Sequence, residues 1–114
     1  MTTTTTDALA ATWALIETAL RQRRPLQISY RGHQRELSPH ALGIKNHRPM
    51  LLAYQTNNPT EPVNPQPQWR CMYLDQIDHI GPADSTHNWQ TADTYNPEHP
   101  FPNIDHLAIA ITPT

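Results

Sequence analysis

Hydrophobic and polar positions change period twice along this chain. Leu9, Trp13, Ile16 and Leu20 recur at steps of four, three and four, which places them on one face of a helix. Thr6 is suited to cap its start, Asp7 sits at the positive end of its dipole, and Arg21 and Arg23 at the negative end. Pro25 disfavours helical geometry at Arg24, so the pattern predicts a helix over 7–23. Beyond Pro25 the period becomes two. Leu26, Ile28 and Tyr30 alternate with Gln27 and Ser29, and Arg31-Gly32 marks a hairpin turn. The return strand is expected over about 34–38, ended by Pro39, with Gly43 as a second turn glycine. Lys45 to Arg48 reads as a polar turn. Residues 49–55 (PMLLAYQ) form a nearly continuous apolar run, expected of a strand buried on both faces or closed into a barrel.

Residues 56–68 contain four prolines and read as a long semi-rigid loop. Trp69 to Leu74 resumes the strand pattern, and Ile77 and Ile80 carry a last short strand before Gly81-Pro82. The threonine-rich residues 1–6 offer no apolar anchor beyond Met1 and are expected to be disordered. Residues 7–82 then form the folded unit. Residues 83–114 form a proline-punctuated extension whose Trp89, Tyr95, Phe101, Ile104, Leu107, Ile109 and Ile111 are too apolar for a free tail, so it is expected to pack on the strands.

The length of 114 residues suits one domain. A count of 12 prolines against 3 glycines favours fixed, extended loops over flexible ones. The one cysteine cannot form an internal disulfide, and there is no apolar run of membrane-spanning length and no signal-peptide pattern. A cytoplasmic protein with no membrane partner is the expectation. Net charge is only -2, yet all eight Lys and Arg residues lie between 21 and 70, opposed there by Glu36 and Glu61, while 71–114 carries six acids and no Lys or Arg. Such a split suits either a basic anion-binding face or an acidic tail that compensates it within the fold.

Read together, the segments RQRRPLQISYRGHQRELSPHALGIKNHRPMLLAYQ and WRCMYLDQIDHI resemble the WYL domain family. The resemblance rests on the basic helix end, the strand ending at Tyr30 with its glycine turn, Arg35 and Leu37 followed by Pro39-His40, the central apolar strand, and an Arg-x-x-x-Leu-Asp-x-Ile strand from Arg70. It covers about residues 13 to 80. It implies a mainly β fold, an SH3-like or Sm-like five-stranded barrel with an N-terminal helix and, here, a docked C-terminal tail. It also implies a role in bacterial transcription regulators that sense a nucleic acid or nucleotide-type ligand. On this sequence the implied pocket residues are Tyr30, Arg35, His40, Arg48 and Arg70, with Arg23 and Arg24 nearby as phosphate contacts. The sequence departs from the family in three ways. Met50-Leu51-Leu52 replaces the naming tripeptide, Met72 stands where a Phe is usual, and the 25 residues before Leu26 are too few for a helix-turn-helix, so reading operator DNA alone is not expected.

Physics points the same way. Arginine forks donate paired hydrogen bonds to phosphate, and Tyr30, Tyr54, Tyr73 or Trp69 could stack a base, unless the aromatics are core and the arginines are held in salt bridges to Glu36, Asp75 or Asp78. His33, His40 and His47 are spaced by seven without any metal-binding motif, so neither metal nor cofactor is expected. His40 is suited equally to a ligand or to the turn backbone. Cys71 has no base assigned to it and reads as a small buried residue. No catalytic motif is present, so the chain is expected to be a binding module and not an enzyme. The expected partner is a single-stranded nucleic acid or oligonucleotide. The alternative is a protein-interaction or dimerisation subunit of a bacterial regulatory or defence system.

Overall fold

The structure is a computed structural model that describes residues 4–57, 68–83, 88–92, 94–101 and 103–112. Helix α1 (Thr4–Gln22) is followed by strands β1 (Leu26–Tyr30), β2 (His33–Lys45), β3 (Arg48–Asn57) and β4 (Gln68–Tyr73), a single 3-10 turn (Leu74–Gln76), β5 (Ile77–Pro82) and β6 (His106–Ala110). The helix starts before Asp7, so Thr6 lies inside it and not at its cap. Its C-terminus closes through two backbone bonds, Arg24 N–H to Ala19 O (2.9 Å) and Arg23 N–H to Leu20 O (3.3 Å), with Arg23 at φ 53°. This pairing caps the last carbonyls by a left-handed residue, and Pro25 follows it.

All pairings are antiparallel, in the order β4-β3-β2-β1-β5, with β6 added to β2. Among the described residues the expected five-stranded barrel is thus corrected to a six-stranded sheet that does not close: β4 and β5, its end strands, are joined by the 3-10 turn and are not paired to each other. The expectation that Pro39 ends a strand also fails. Strand β2 runs on for 13 residues. The ladder tolerates Pro39, which has no N–H, because its register shifts there: Pro39 faces Ala53 and Ala41 faces Leu52, leaving His40 as the extra residue of a bulge. Gly43 is not a turn residue. It lies within β2 where β6 crosses closely, and a Cβ there would stand 2.7 Å from the carbonyl oxygen of His106.

The apolar run of β3 is buried on both faces. Leu51 and Ala53 join Ile16, Leu20, Leu26, Ile28, Leu37, Leu42, Met72 and Leu74 in the core beneath α1. Met50 and Leu52 face the other way, packing with Ala41, Phe101 and the partly buried Trp69, Tyr95, Ile104 and Leu107. Alternation along β3 therefore assigns one layer to the helix and one to the C-terminal tail. Both short hairpins use left-handed residues, Arg31 and Gly32 (φ 51° and 85°) and Asn46 and His47 (φ 54° and 63°). These are the backbone angles of two-residue turns that suit the twist of the flanking strands.

Two substitutions test these positions in opposite directions. His47→Gly relieves a β-carbon held at positive φ and is expected to stabilise by roughly 0.5–1 kcal/mol in urea denaturation. Gly43→Ala drives a methyl into the His106 carbonyl and is expected to cost about 1–3 kcal/mol, with amide exchange accelerated across β6.

Candidate functional site

Arg35, Gln55 and Arg70 meet on the helix-side face of the sheet. Arg35 lies two residues before Leu37, Gln55 two after Ala53, and Arg70 two before Met72, so strand alternation points all three toward the layer that those core residues occupy. The register brings them together, since Leu37 pairs with Gln55 and Ala53 with Arg70. Arg35 Nη1 donates to Gln55 Oε1 at 2.8 Å, and Arg70 Nε donates to the same oxygen at 2.9 Å. Arg35 and Gln55 are buried, while Arg70 is half-buried. One amide oxygen thus holds two guanidinium groups side by side. Gln55 was not singled out from the sequence. Its signal is a polar side chain in phase with Leu51 and Ala53.

The other residues expected at the site lie elsewhere. Tyr30 shares the helix-side face, and its hydroxyl donates to Gln76 Oε1 at 3.2 Å. Arg48 stands on the opposite face at the far end of β3. Its Nε and Nη2 each donate to Asp75 at 2.7 Å, and its guanidinium lies 3.6 Å from the centroid of the Tyr73 ring. The fork pairing holds Asp75 below, and Arg48 above, their ordinary pKa values. Asp75 thus pairs with Arg48, while Asp78 accepts from the backbone N–H of Gly32 at 3.3 Å. Arg23 Nη2 donates to the carbonyl of Thr112 in the tail, and Arg24 is exposed just beyond the helix end.

His40 and Trp69 belong to the tail-side face. His40 is fully buried and packs between Trp89 (4.4 Å between centroids, stacked), Trp69 and Tyr95 (4.7 Å each, edge-on). Its Nδ1 is 2.7 Å from Ser38 O, a pure acceptor, so Nδ1 carries the proton and Nε2 accepts from the Thr91 hydroxyl at 2.8 Å. Burial lowers its pKa to about 4, against the smaller opposing effect of the Ser38 bond. Trp69 Nε1 donates to Thr94 Oγ1 at 2.6 Å. Cys71 is exposed on the end strand and not buried, yet neighbouring atoms strip enough water from its thiol to push its pKa up. Neither residue is a poised base or nucleophile in this arrangement.

Because the folded state favours neutral His40, the unfolded chain binds the extra proton between its ordinary pKa near 6.5 and the folded value of about 4. Stability is therefore fully present above the unfolded value and is lost as pH falls through this window. Lowering pH from about 8 to about 5 is expected to remove roughly 2 kcal/mol through this residue. Urea midpoints of the wild type and His40→Gln, compared at both pH values, check it: the part of the pH dependence due to His40 should vanish in the variant.

No curated protein matches the chain. A family model described as the WYL domain matches residues 11–81, a span that contains α1 from its second turn, β1 to β4 and nearly all of β5, and with them Arg35, Gln55 and Arg70. It stops short of the tail that encloses His40. On this match over more than half of its length, the chain belongs to the WYL domain family, a family of regulatory ligand-sensing domains.

Proposed function

We propose that this chain is a ligand-binding regulatory module that takes a single-stranded nucleic acid or a nucleotide-type anion at Arg35 and Arg70. The observation that carries this reading is the sharing of one Gln55 oxygen by both guanidinium groups. Two guanidinium groups held this close attract a phosphate, and the Arg70 N–H groups that Gln55 does not use match phosphate oxygens. Arg48 contributes less to such a site, because Asp75 already occupies its fork. Arg23 and Arg24, at the helix end, serve as auxiliary contacts for a longer strand.

The strand order, with its end strands linked by one 3-10 turn, supports reading the sheet as an open form of the SH3-like or Sm-like barrel. Binding without catalysis fits the neutral, caged His40 and the raised Cys71 thiol. A regulatory or defence system in the bacterial cytoplasm is the setting we assign. Among the described residues no helix is long and apolar enough to cross a membrane.

Fluorescence anisotropy of labelled single-stranded DNA and RNA tests the proposal. Two phosphate contacts on a single strand predict a salt slope near -1.4, roughly a 25-fold loss of affinity over a tenfold rise in salt. Arg70→Gln, at the half-buried position, is expected to weaken binding about ten- to hundredfold, as loss of a charge-assisted hydrogen bond does, and to flatten the slope. Absence of binding at low salt would instead favour a protein partner or a second copy of the chain.

A further inference from the structure

The tail does more than cover the sheet. Between β3–β4 and residues 94–100 it encloses a half-open cleft of about 270 Å³. Leu52, Trp69 and Cys71 line it from the sheet, and Tyr95, Asn96 and His99 from the tail. The Trp69 and Tyr95 rings stack on each other, 5.5 Å between centroids and 25° between planes, and with Leu52 they give the lining its apolar and aromatic part. Residues 94–100 lie outside the span that matches the family, so this cleft is a feature of the extension.

Size, charge and polarity narrow the occupant. A cavity of roughly 150 Å³ holds a benzene ring, and sites for drug-sized ligands begin near 300 Å³; the cleft falls between them, which suits one ring or two fused rings. Among the described residues no Lys, Arg, Asp or Glu lines it. Water-stripping pushes the Cys71 thiol up, against a smaller pull from the Lys45 charge, so the thiol itself presents no charge to an occupant. The polar lining residues Thr94, Asn96 and His99 come from the tail. Asn96 Oδ1 accepts from the Glu98 backbone N–H at 3.0 Å, which orients the amide and turns its NH2 donors away from that bond. Asn96 O accepts from His99 N–H at 3.1 Å, a turn that fixes where His99 stands. A ligand with ring nitrogen or carbonyl acceptors on its edge suits these groups, while its apolar surface suits Leu52, Trp69 and Tyr95.

We infer that this cleft is a second binding site, which takes a small, uncharged, planar heteroaromatic molecule of one or two rings. It lies on the face opposite Arg35 and Arg70, because Trp69 and Cys71 alternate with Arg70 along β4, and it does not depend on them. The extension thereby gives the domain a sensor for a neutral compound beside its anion-binding face.

The protein's single cysteine reports on the cleft directly. The rate at which Cys71 reacts with a thiol reagent is measured on the full chain with adenine or nicotinamide present, and with benzoate as a planar anion. Adenine or nicotinamide is expected to slow the reaction at least fivefold in a saturable manner and to quench tryptophan fluorescence over the same range, while benzoate does neither. Cys71→Met, which extends a side chain into the cleft from an exposed position, should weaken the fluorescence titration at least tenfold. Arg70→Gln should leave both readouts unchanged while it reduces oligonucleotide binding, so the two sites fail separately. Unprotected Cys71 at millimolar adenine and nicotinamide, or equal protection by benzoate, would overturn the inference whether or not the Met variant folds.

Discussion

The bulge at Pro39–His40 is the constraint around which the tail-side half of this molecule is arranged. A proline inside a long central strand supplies no ladder donor, and the extra residue that relieves it leaves backbone acceptors that need partners. Three consecutive carbonyls find them: Ser38 O takes the His40 ring, Pro39 O takes the Trp89 indole at 2.9 Å, and His40 O takes the Ile111 N–H at 3.0 Å. The Tyr95 hydroxyl ties this region to Ile111 O at 2.7 Å, and Ser38 Oγ accepts the Gln90 N–H at 2.9 Å. A buried carbonyl without a partner costs about 1–3 kcal/mol. The tail is thus bound by what the bulge requires as much as by the apolar surface it covers.

This arrangement sorts the polar residues by face. Residues in phase with the helix-side core give the Arg35, Gln55 and Arg70 cluster, whereas those in phase with the tail-side layer are consumed by structure. His40 is caged, Trp69 is bonded to Thr94, and Arg48 is neutralised by Asp75 over the Tyr73 ring. The uneven distribution of charge along the chain is resolved in part by such pairing: an acid from the C-terminal portion meets a base from the central one. The Arg35 and Arg70 guanidinium groups also meet on one neutral amide.

Periodicity made much of the fold legible, because α1, β1 and β3 carry their burial in local order: Leu9 to Leu20 at helical spacing, Leu26 to Tyr30 at a period of two, and the apolar run after Pro49. What misled was punctuation. Pro39 and Gly43 are strong local breakers, yet both sit within β2, since a bulge accommodates one and the close approach of β6 demands the other. Neither cause is local in sequence. The same limit applies to the site. Arg35 and Arg70 could be picked out as charged residues in strands, but that they share Gln55 depends on the pairing of three strands, and the division of His40, Trp69 and Arg48 from them follows from facing, which a bulge shifts by one residue.

Strand β6 has one further consequence. Beyond Leu37, β2 extends past its pairing with β1, and β6 takes up that exposed flank over Ala41 to Ile44. Left bare, that flank would be a row of unpaired amides and carbonyls next to apolar side chains, the kind of surface on which chains stack into aggregates. The C-terminal extension therefore satisfies that flank with the chain's own backbone, so that the ladder positions from Ala41 to Ile44 find their partners within the molecule.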